Sequence, residues 1–168
     1  VEYTIVVEAK DNAGNTTTGT VKATTGTVPT ASGATYTPNT WTNGNVTVTL
    51  PTKSGYSTVY TTNGTAPTKD STKYSAAFTV SGNCKINYLY TDGTNIGGAG
   101  TVNVTNIDKL APNAFTPKTT VTTNSIKVDG TTTDATATST NGTSGIKEYR
   151  FSKDGGKTYT NAQTSATY

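Results

Sequence analysis

What is scarce in this 168-residue sequence narrows its chemistry: no histidine, no methionine, one cysteine, one tryptophan and only 14% charged residues. Without histidine there is no imidazole base, so Ser-His and Cys-His nucleophilic sites are excluded. A glycosidase-type carboxylate pair is not removed by counting. However, Glu2, Glu8 and Glu148 stand at outward strand positions where a carboxylate is ordinarily solvated, and the chain reads as a non-enzyme. The lone Cys84 permits no intrachain disulfide, and in the alternating run Cys84, Ile86, Tyr88, Tyr90 it reads as a small core residue. A mean hydropathy of −0.48 leaves no segment suited to membrane insertion. The net charge of +3 comes from scattered lysines, with no basic cluster interleaved with aromatics to bind nucleic acid. No apolar stripe of period 3.6 reaches helical length. Val1 opens neither a Met-initiated chain nor a basic-then-apolar leader, so an excised or processed piece is expected.

What is present points to strands. About a quarter of the residues are threonine, with 10 tyrosines, and β-branched and aromatic residues are spaced by Gly and Asn. In "VEYTIVVEAKDNAGN", Tyr3, Ile5, Val7 and Ala9 alternate with Glu2, Thr4, Glu8 and Lys10, predicting a strand with one face buried. Asp11 to Asn15 supplies turn residues, so a β-hairpin is expected whose apolar side needs the rest of a sheet. Two Pro-containing joints, "TGTVPTAS" and "NIDKLAPNAF", divide the chain into residues 1–28, 29–107 and 108–168. The middle piece holds enough segments for a complete sandwich: the Tyr36 region, Val46/Val48/Leu50, Val59 with Tyr60, Phe78/Val80, Cys84 to Tyr90, and Val102/Val104. Its "SGN" at Ser81 to Asn83 predicts a tight hairpin. In the last piece Phe115, Ile126/Val128, Ile146 and Tyr149/Phe151 mark only the first strands of a second sandwich. The first piece is the kind of strand pair the last one lacks. Two arrangements account for this: a window cut across a tandem array, or strand addition in which residues 1–23 complete residues 113–168 of a neighbouring chain.

The segment "YTIVVEAKDNAGN" resembles the closing F strand and F-G turn of fibronectin type III-like and bacterial immunoglobulin-like modules. Val59 to Asn95 is similar to the small β-sandwich found as the C-terminal accessory module of chitobiase-type glycosidases, itself immunoglobulin-like. "GTVNVTNIDKLAP", Gly100 to Pro112, looks like the last strand and linker between such repeats. The resemblance implies an all-β chain of immunoglobulin-like antiparallel β-sandwiches in tandem. It specifies architecture well and activity poorly.

The candidate sites are few. "SKDGGKTY", Ser152 to Tyr159, fits the Asp-box pattern of sialidase-type proteins, where it is a hairpin turn remote from catalysis. Asp154 is expected to bond nearby N–H groups, with Gly155 and Gly156 at positive φ. Weak calcium candidates are Asp11 with Asn15, Asp92, and Asp108 at a domain junction where an ion would stiffen the linker; none has EF-hand spacing. No cofactor is implied. Lys85 and Asn87 lie opposite Cys84 and Ile86, so no buried trio for a Lys-Asn isopeptide crosslink stands out. Sequons at Asn15, Asn45, Asn63, Asn103 and Asn141 arise by chance in a chain this rich in Asn and Thr. Trp41 is read as a buried cap of the sandwich, with an exposed sugar-stacking platform as the alternative.

These readings lead to an expected role as a non-enzymatic structural spacer or fibre-forming segment of an extracellular bacterial surface protein. Its partners are then adjacent immunoglobulin-like domains of the same or a neighbouring chain. The alternative is an adhesin or carbohydrate-binding module, on a bacterial surface or phage tail, that meets a cell-surface glycan or protein through Trp41 or the loops Asn63–Lys73 and Thr131–Ser144.

Overall fold

A computed structural model describes residues 2–24 and 26–168, and among these the structure is strands and connections without a helix. Strands β1 (Glu2–Lys10) and β2 (Thr16–Thr24) form the hairpin that the alternation predicts, in register from Glu2 opposite Thr24 to Lys10 opposite Thr16. The turn closes on Asp11, whose carboxylate accepts the N–H groups of Ala13 (2.9 Å) and Asn15 (2.8 Å). The two strands pair only with each other. The face expected to be buried is therefore open: Ile5 is 47% and Val7 62% exposed, because among the described residues no second layer lies against it.

Seven strands build the middle of the molecule: β3 (Thr35–Thr37), β4 (Val46–Thr49), β5 (Ser57–Thr61), β6 (Thr72–Lys73), β7 (Phe78–Val80), β8 (Cys84–Thr91) and β9 (Gly100–Val104). They divide into a sheet ordered β3-β4-β7 and a sheet ordered β6-β5-β8-β9, all antiparallel. Val46 and Val48 of one layer meet Ile86, Tyr88, Tyr90, Val102 and Val104 of the other in a buried core. This is the alternation of apolar and polar positions turned into two packed faces. Cys84 packs half-buried at the core's margin, where burial pushes its thiol pKa up.

One expected turn is corrected. Ser81 to Asn83 does not close a hairpin: β7 pairs with β4, while β8 pairs with β5 and β9, so these residues carry the chain from one layer to the other. Three extended residues are enough to cross the roughly 10 Å between packed sheets, and the same Ser-Gly-Asn chemistry suits either course. Phe78 and Val80 decide it by pairing with Val48 and Val46.

Two loops are tied down. The segment Asn63–Lys73, expected to be a loop, ends in β6, and its first turn is held to the outer face of the four-stranded sheet: the Asn87 amide donates to the carbonyls of Gly64 (2.8 Å) and Thr65 (3.1 Å). On that outer face Val59 and Leu89 stand opposite each other and are buried, as is Pro67 of the loop. Between β8 and β9, the segment Pro29–Ala31 passes so close that a Cβ on Gly97 would strike the Pro29 carbonyl and one on Gly98 the Thr30 side chain.

Residues 113–168 form β10 (Lys118–Val121) and β11 (Ile126–Asp129), paired antiparallel. The far edge of β11 is taken by Tyr168, which exchanges both backbone hydrogen bonds with Val128 (2.8 and 2.9 Å). Tyr149 and Gln163 exchange theirs at 2.7 and 3.0 Å. Phe151 stacks on Tyr168 with centroids 5.2 Å apart, as Tyr60 stacks on Phe78 at 4.6 Å in the middle sandwich. An open trough of about 850 Å³ remains, lined by Val121, Ile126, Val128, Phe151, Lys153 and Tyr168.

Candidate functional site

The residues following β9 are held by a dense set of side-chain and backbone hydrogen bonds. Ile107 is fully buried, and its backbone is matched by the Asn83 side chain: the Ile107 N–H donates to Asn83 Oδ1 (2.8 Å) and its carbonyl accepts from Asn83 Nδ2 (3.2 Å). On its other flank Thr42 donates to the Asn106 carbonyl (3.0 Å) and accepts from the Asp108 N–H (2.9 Å), a parallel bridge that pins the linker to the entrance of β4. The Asn106 amide donates to the carbonyls of Pro38 (3.0 Å) and Thr40 (2.6 Å).

Onto this pinned linker docks the 140–144 turn of the C-terminal segment. Gly142 donates to the Ile107 carbonyl (2.7 Å), and Asn83 donates to that of Thr140 (2.7 Å). Asn141 works in both directions: its Oδ1 accepts from the Lys109 N–H (2.8 Å) and its Nδ2 donates to Asp108 Oδ1 (3.0 Å). The second carboxylate oxygen of Asp108 accepts the Ser144 N–H at 2.8 Å. Asp108 and Asn141 are each only 8% exposed. The Ser144 side chain, and then the N–H groups of Ser144 and Leu110 and the Asn141 amide, hold the Asp108 carboxyl down at about 2 against the opposing effect of burial. The site is a clasp in which a carboxylate joins two stretches of chain through N–H donors.

Trp41 stands at the rim of this clasp. It is not the buried cap expected from its size: the indole is 50% exposed, and a Cβ on Gly142 would come within 2.6 Å of its ring. Only glycine lets the turn lie this close. Of the calcium candidates, the structure brings none together. Asp11 folds over its own turn, where the Asn15 side chain and N–H, followed by the Ala13 N–H, lower its pKa. Asp92 does the same with the N–H groups of Asn95 and Thr94 and the Asn95 amide. Asp108 faces hydrogen-bond donors, and among the described residues no group of three His, Cys, Asp or Glu side chains gathers. The Asp-box turn has the expected geometry: Asp154 accepts from the Thr158 hydroxyl (2.6 Å) and N–H (2.9 Å) and from the Lys157 N–H (3.1 Å), with φ of 72° at Gly155 and 87° at Gly156. Those bonds, the Thr158 hydroxyl first, bring the Asp154 pKa to about 2.

The loop Thr131–Ser144, considered a free binding loop on its polar sequence, thus supplies half of the clasp. Asn141, Gly142 and Ser144 carry no local signal for it; Asn141 stands out only as a sequon, and its amide is engaged in the clasp. What joins it to Asp108 is a contact across 33 residues, which no local pattern encodes.

Comparison with known proteins adds one match. Residues 38–102 fit the family model described as the chitobiase/beta-hexosaminidase C-terminal domain, less than half of the chain and within the middle sandwich. This supports an immunoglobulin-like β-sandwich there, in agreement with the two-layer antiparallel architecture. No curated protein matches the chain, and no solved structure does.

Proposed function

We propose that this chain is a non-enzymatic structural spacer, a segment of an extracellular bacterial surface protein or fibre built from immunoglobulin-like units in series. The observation that carries this reading is the Asp108–Asn141 clasp. Side-chain amides and a carboxylate are used there to fix one stretch of fold upon the next, and a spacer that must transmit reach and orientation needs such a joint. A Thr-rich exterior with few charges suits an exposed shaft, since hydroxyls keep strands solvated and β-branching keeps them extended.

Small-angle scattering on the dilute monomer tests the joint. The native chain is expected to fit a single rigid arrangement, while Asp108→Ala combined with Asn141→Ala broadens the distance distribution. Unchanged scattering would count against the spacer reading. The half-exposed Trp41 favours a second reading, a carbohydrate-binding module that stacks a sugar on the indole. Saturable binding on a glycan array that Trp41→Ala removes would establish it in place of the first.

A further inference from the structure

We propose that Asn141–Gly142 is a one-way release point of the clasp, a deamidation site that the closed clasp blocks and whose acidic product keeps the clasp from closing again. One tetrapeptide occurs twice in the chain: Thr62–Thr65 and Thr140–Thr143 both read Thr-Asn-Gly-Thr. Asn followed by Gly is prone to succinimide formation, because no side chain shields the glycine nitrogen as it attacks the Asn carboxamide. In that reaction the Gly nitrogen bonds to the Asn Cγ and the Cγ–Nδ2 bond breaks, while the proton of the Gly N–H leaves with Nδ2 as ammonia. Water then opens the ring, at one carbonyl to give Asp and at the other to give an isoaspartyl linkage. Two identical tetrapeptides share one intrinsic rate, so a difference between them is set by the fold.

The fold holds the two copies differently. Asn63 is exposed, and its Oδ1 accepts the N–H (3.1 Å) and the hydroxyl (2.6 Å) of Thr65, which folds the carboxamide forward over Gly64. Among the described residues neither the Gly64 N–H nor Asn63 Nδ2 donates a hydrogen bond, so nucleophile and leaving group are both free. The donors on Oδ1 also stabilise the negative charge that develops there on attack. At the clasp the same atoms are engaged elsewhere. The Gly142 N–H donates to the Ile107 carbonyl (2.7 Å), Asn141 Nδ2 to the Asp108 carboxylate (3.0 Å), and Asn141 Oδ1 is drawn to the Lys109 N–H (2.8 Å). Trp41 crowds the turn, its ring 2.6 Å from where a Cβ on Gly142 would stand, and Asn141 is only 8% exposed. Attack at Asn141 therefore waits on local opening of the clasp.

Neither product fits the closed arrangement. An oxygen in the place of Asn141 Nδ2 would face Asp108 Oδ1 across 3.0 Å, acceptor against acceptor, and two ionised carboxylates that close repel. The isoaspartyl form adds a methylene to the backbone between residues 141 and 142, which carries Gly142 away from the Ile107 carbonyl and the Trp41 ring. The Ser144 N–H is then left to hold the Asp108 carboxylate without its neighbours. A clasp that stays closed protects its own amide, and one that opens and reacts does not re-form.

The test is peptide mapping by mass spectrometry of the full 168-residue chain during incubation at physiological pH and temperature. Trypsin releases the two sites in separate peptides, Ser54–Lys69 and Val128–Lys147, each with a single Asn. In the native chain Asn141 is expected to convert at least about tenfold more slowly than Asn63, since only the opened fraction reacts. In concentrated urea the two rates converge, a comparison that needs no variant. Asp108→Ala raises the Asn141 rate toward that of Asn63 in the same molecule. Asn141→Asp installs one product directly, and its Gly142 amide loses hydrogen-exchange protection while the amides of β4, β5 and β8 keep theirs. Equal conversion of Asn63 and Asn141 in the native chain overturns the proposal, as does an Asn141 rate unmoved by Asp108→Ala or a Gly142 amide still protected in Asn141→Asp. None of these readouts measures the reach of the molecule, so the release point can fail while the spacer reading stands.

Discussion

A single carboxylate, Asp108, connects the linker to the turn 33 residues further on. Removing it by Asp108→Ala leaves the part-buried Ser144 and Leu110 N–H groups and the buried Asn141 amide without their acceptor, and is expected to cost about 2 kcal/mol in urea unfolding, the range for hydrogen bonds to a charged group. Its pH dependence has a defined sign. The folded pKa of about 2 lies below the reference value of 3.8, so the contribution is complete above pH 3.8 and is lost as pH falls through about 2. Asp154, Asp11, Asp92 and Asp129 are also lowered, by hydrogen bonds within their own turns, so their contributions too are lost on acidification rather than gained. Comparing urea midpoints at pH 6 and pH 2.5 in native and Asp108→Asn chains isolates the share of Asp108: the variant should lose less on acidification. A neighbouring residue reports on the core instead. Ile107→Ala should destabilise the middle sandwich by about 3 kcal/mol, the usual cost of truncating a fully buried isoleucine, as measured by denaturant unfolding.

At the scale of elements, connections decide more than strands do. The β8–β9 loop accommodates the incoming segment Pro29–Ala31 because Gly97 and Gly98 have no side chains, and Ala31 bonds to the Gly98 carbonyl at 2.9 Å. Gly97→Ala meets backbone, which cannot swing aside as a flexible side chain can. A loss of roughly 1–3 kcal/mol is expected, with local backbone shifts around Pro29 visible by NMR. Strand existence was legible in the sequence throughout this region, since Val46/Val48, Ile86/Tyr88 and Val102/Val104 alternate as a half-buried strand must. The partner of each strand was less legible. Ser81–Asn83 reads locally as a hairpin, yet it crosses between layers because the pairing of Phe78 with Val48 is a non-local choice.

For the molecule as a whole, packing is uneven, and local stability should follow it. Hydrogen exchange on dilute monomer is expected to show the slowest amides in β4, β5 and β8, whose pairing lies over the buried core, and the fastest among strand amides in β1 and β2, which have pairing but no second layer. Slow exchange in β1 and β2 under those conditions would mean that their open face finds cover within a single chain. The clasp joins the middle sandwich to the C-terminal segment through Asn83, Ile107, Asp108 and the 140–144 turn, whereas the described hairpin pairs only with itself.

Alternation and turn chemistry, readable residue by residue, determined that the regular elements of this chain are strands and not helices, that Asp11, Asp92 and Asp154 would close turns, and that the Cys84–Tyr90 run would face a core. These depend on interactions within a few residues, where side-chain type fixes the outcome. The strands expected at Phe115, Ile146 and Tyr149/Phe151 form no ladder, and beyond β11 the described residues hold only isolated bridges. The tertiary structure alone decided which strands pair, that Trp41 lies half open against Gly142, and that Asp108 finds Asn141. Each of those joins groups distant in sequence, and their meeting is set by the packing of whole layers, which no local pattern specifies.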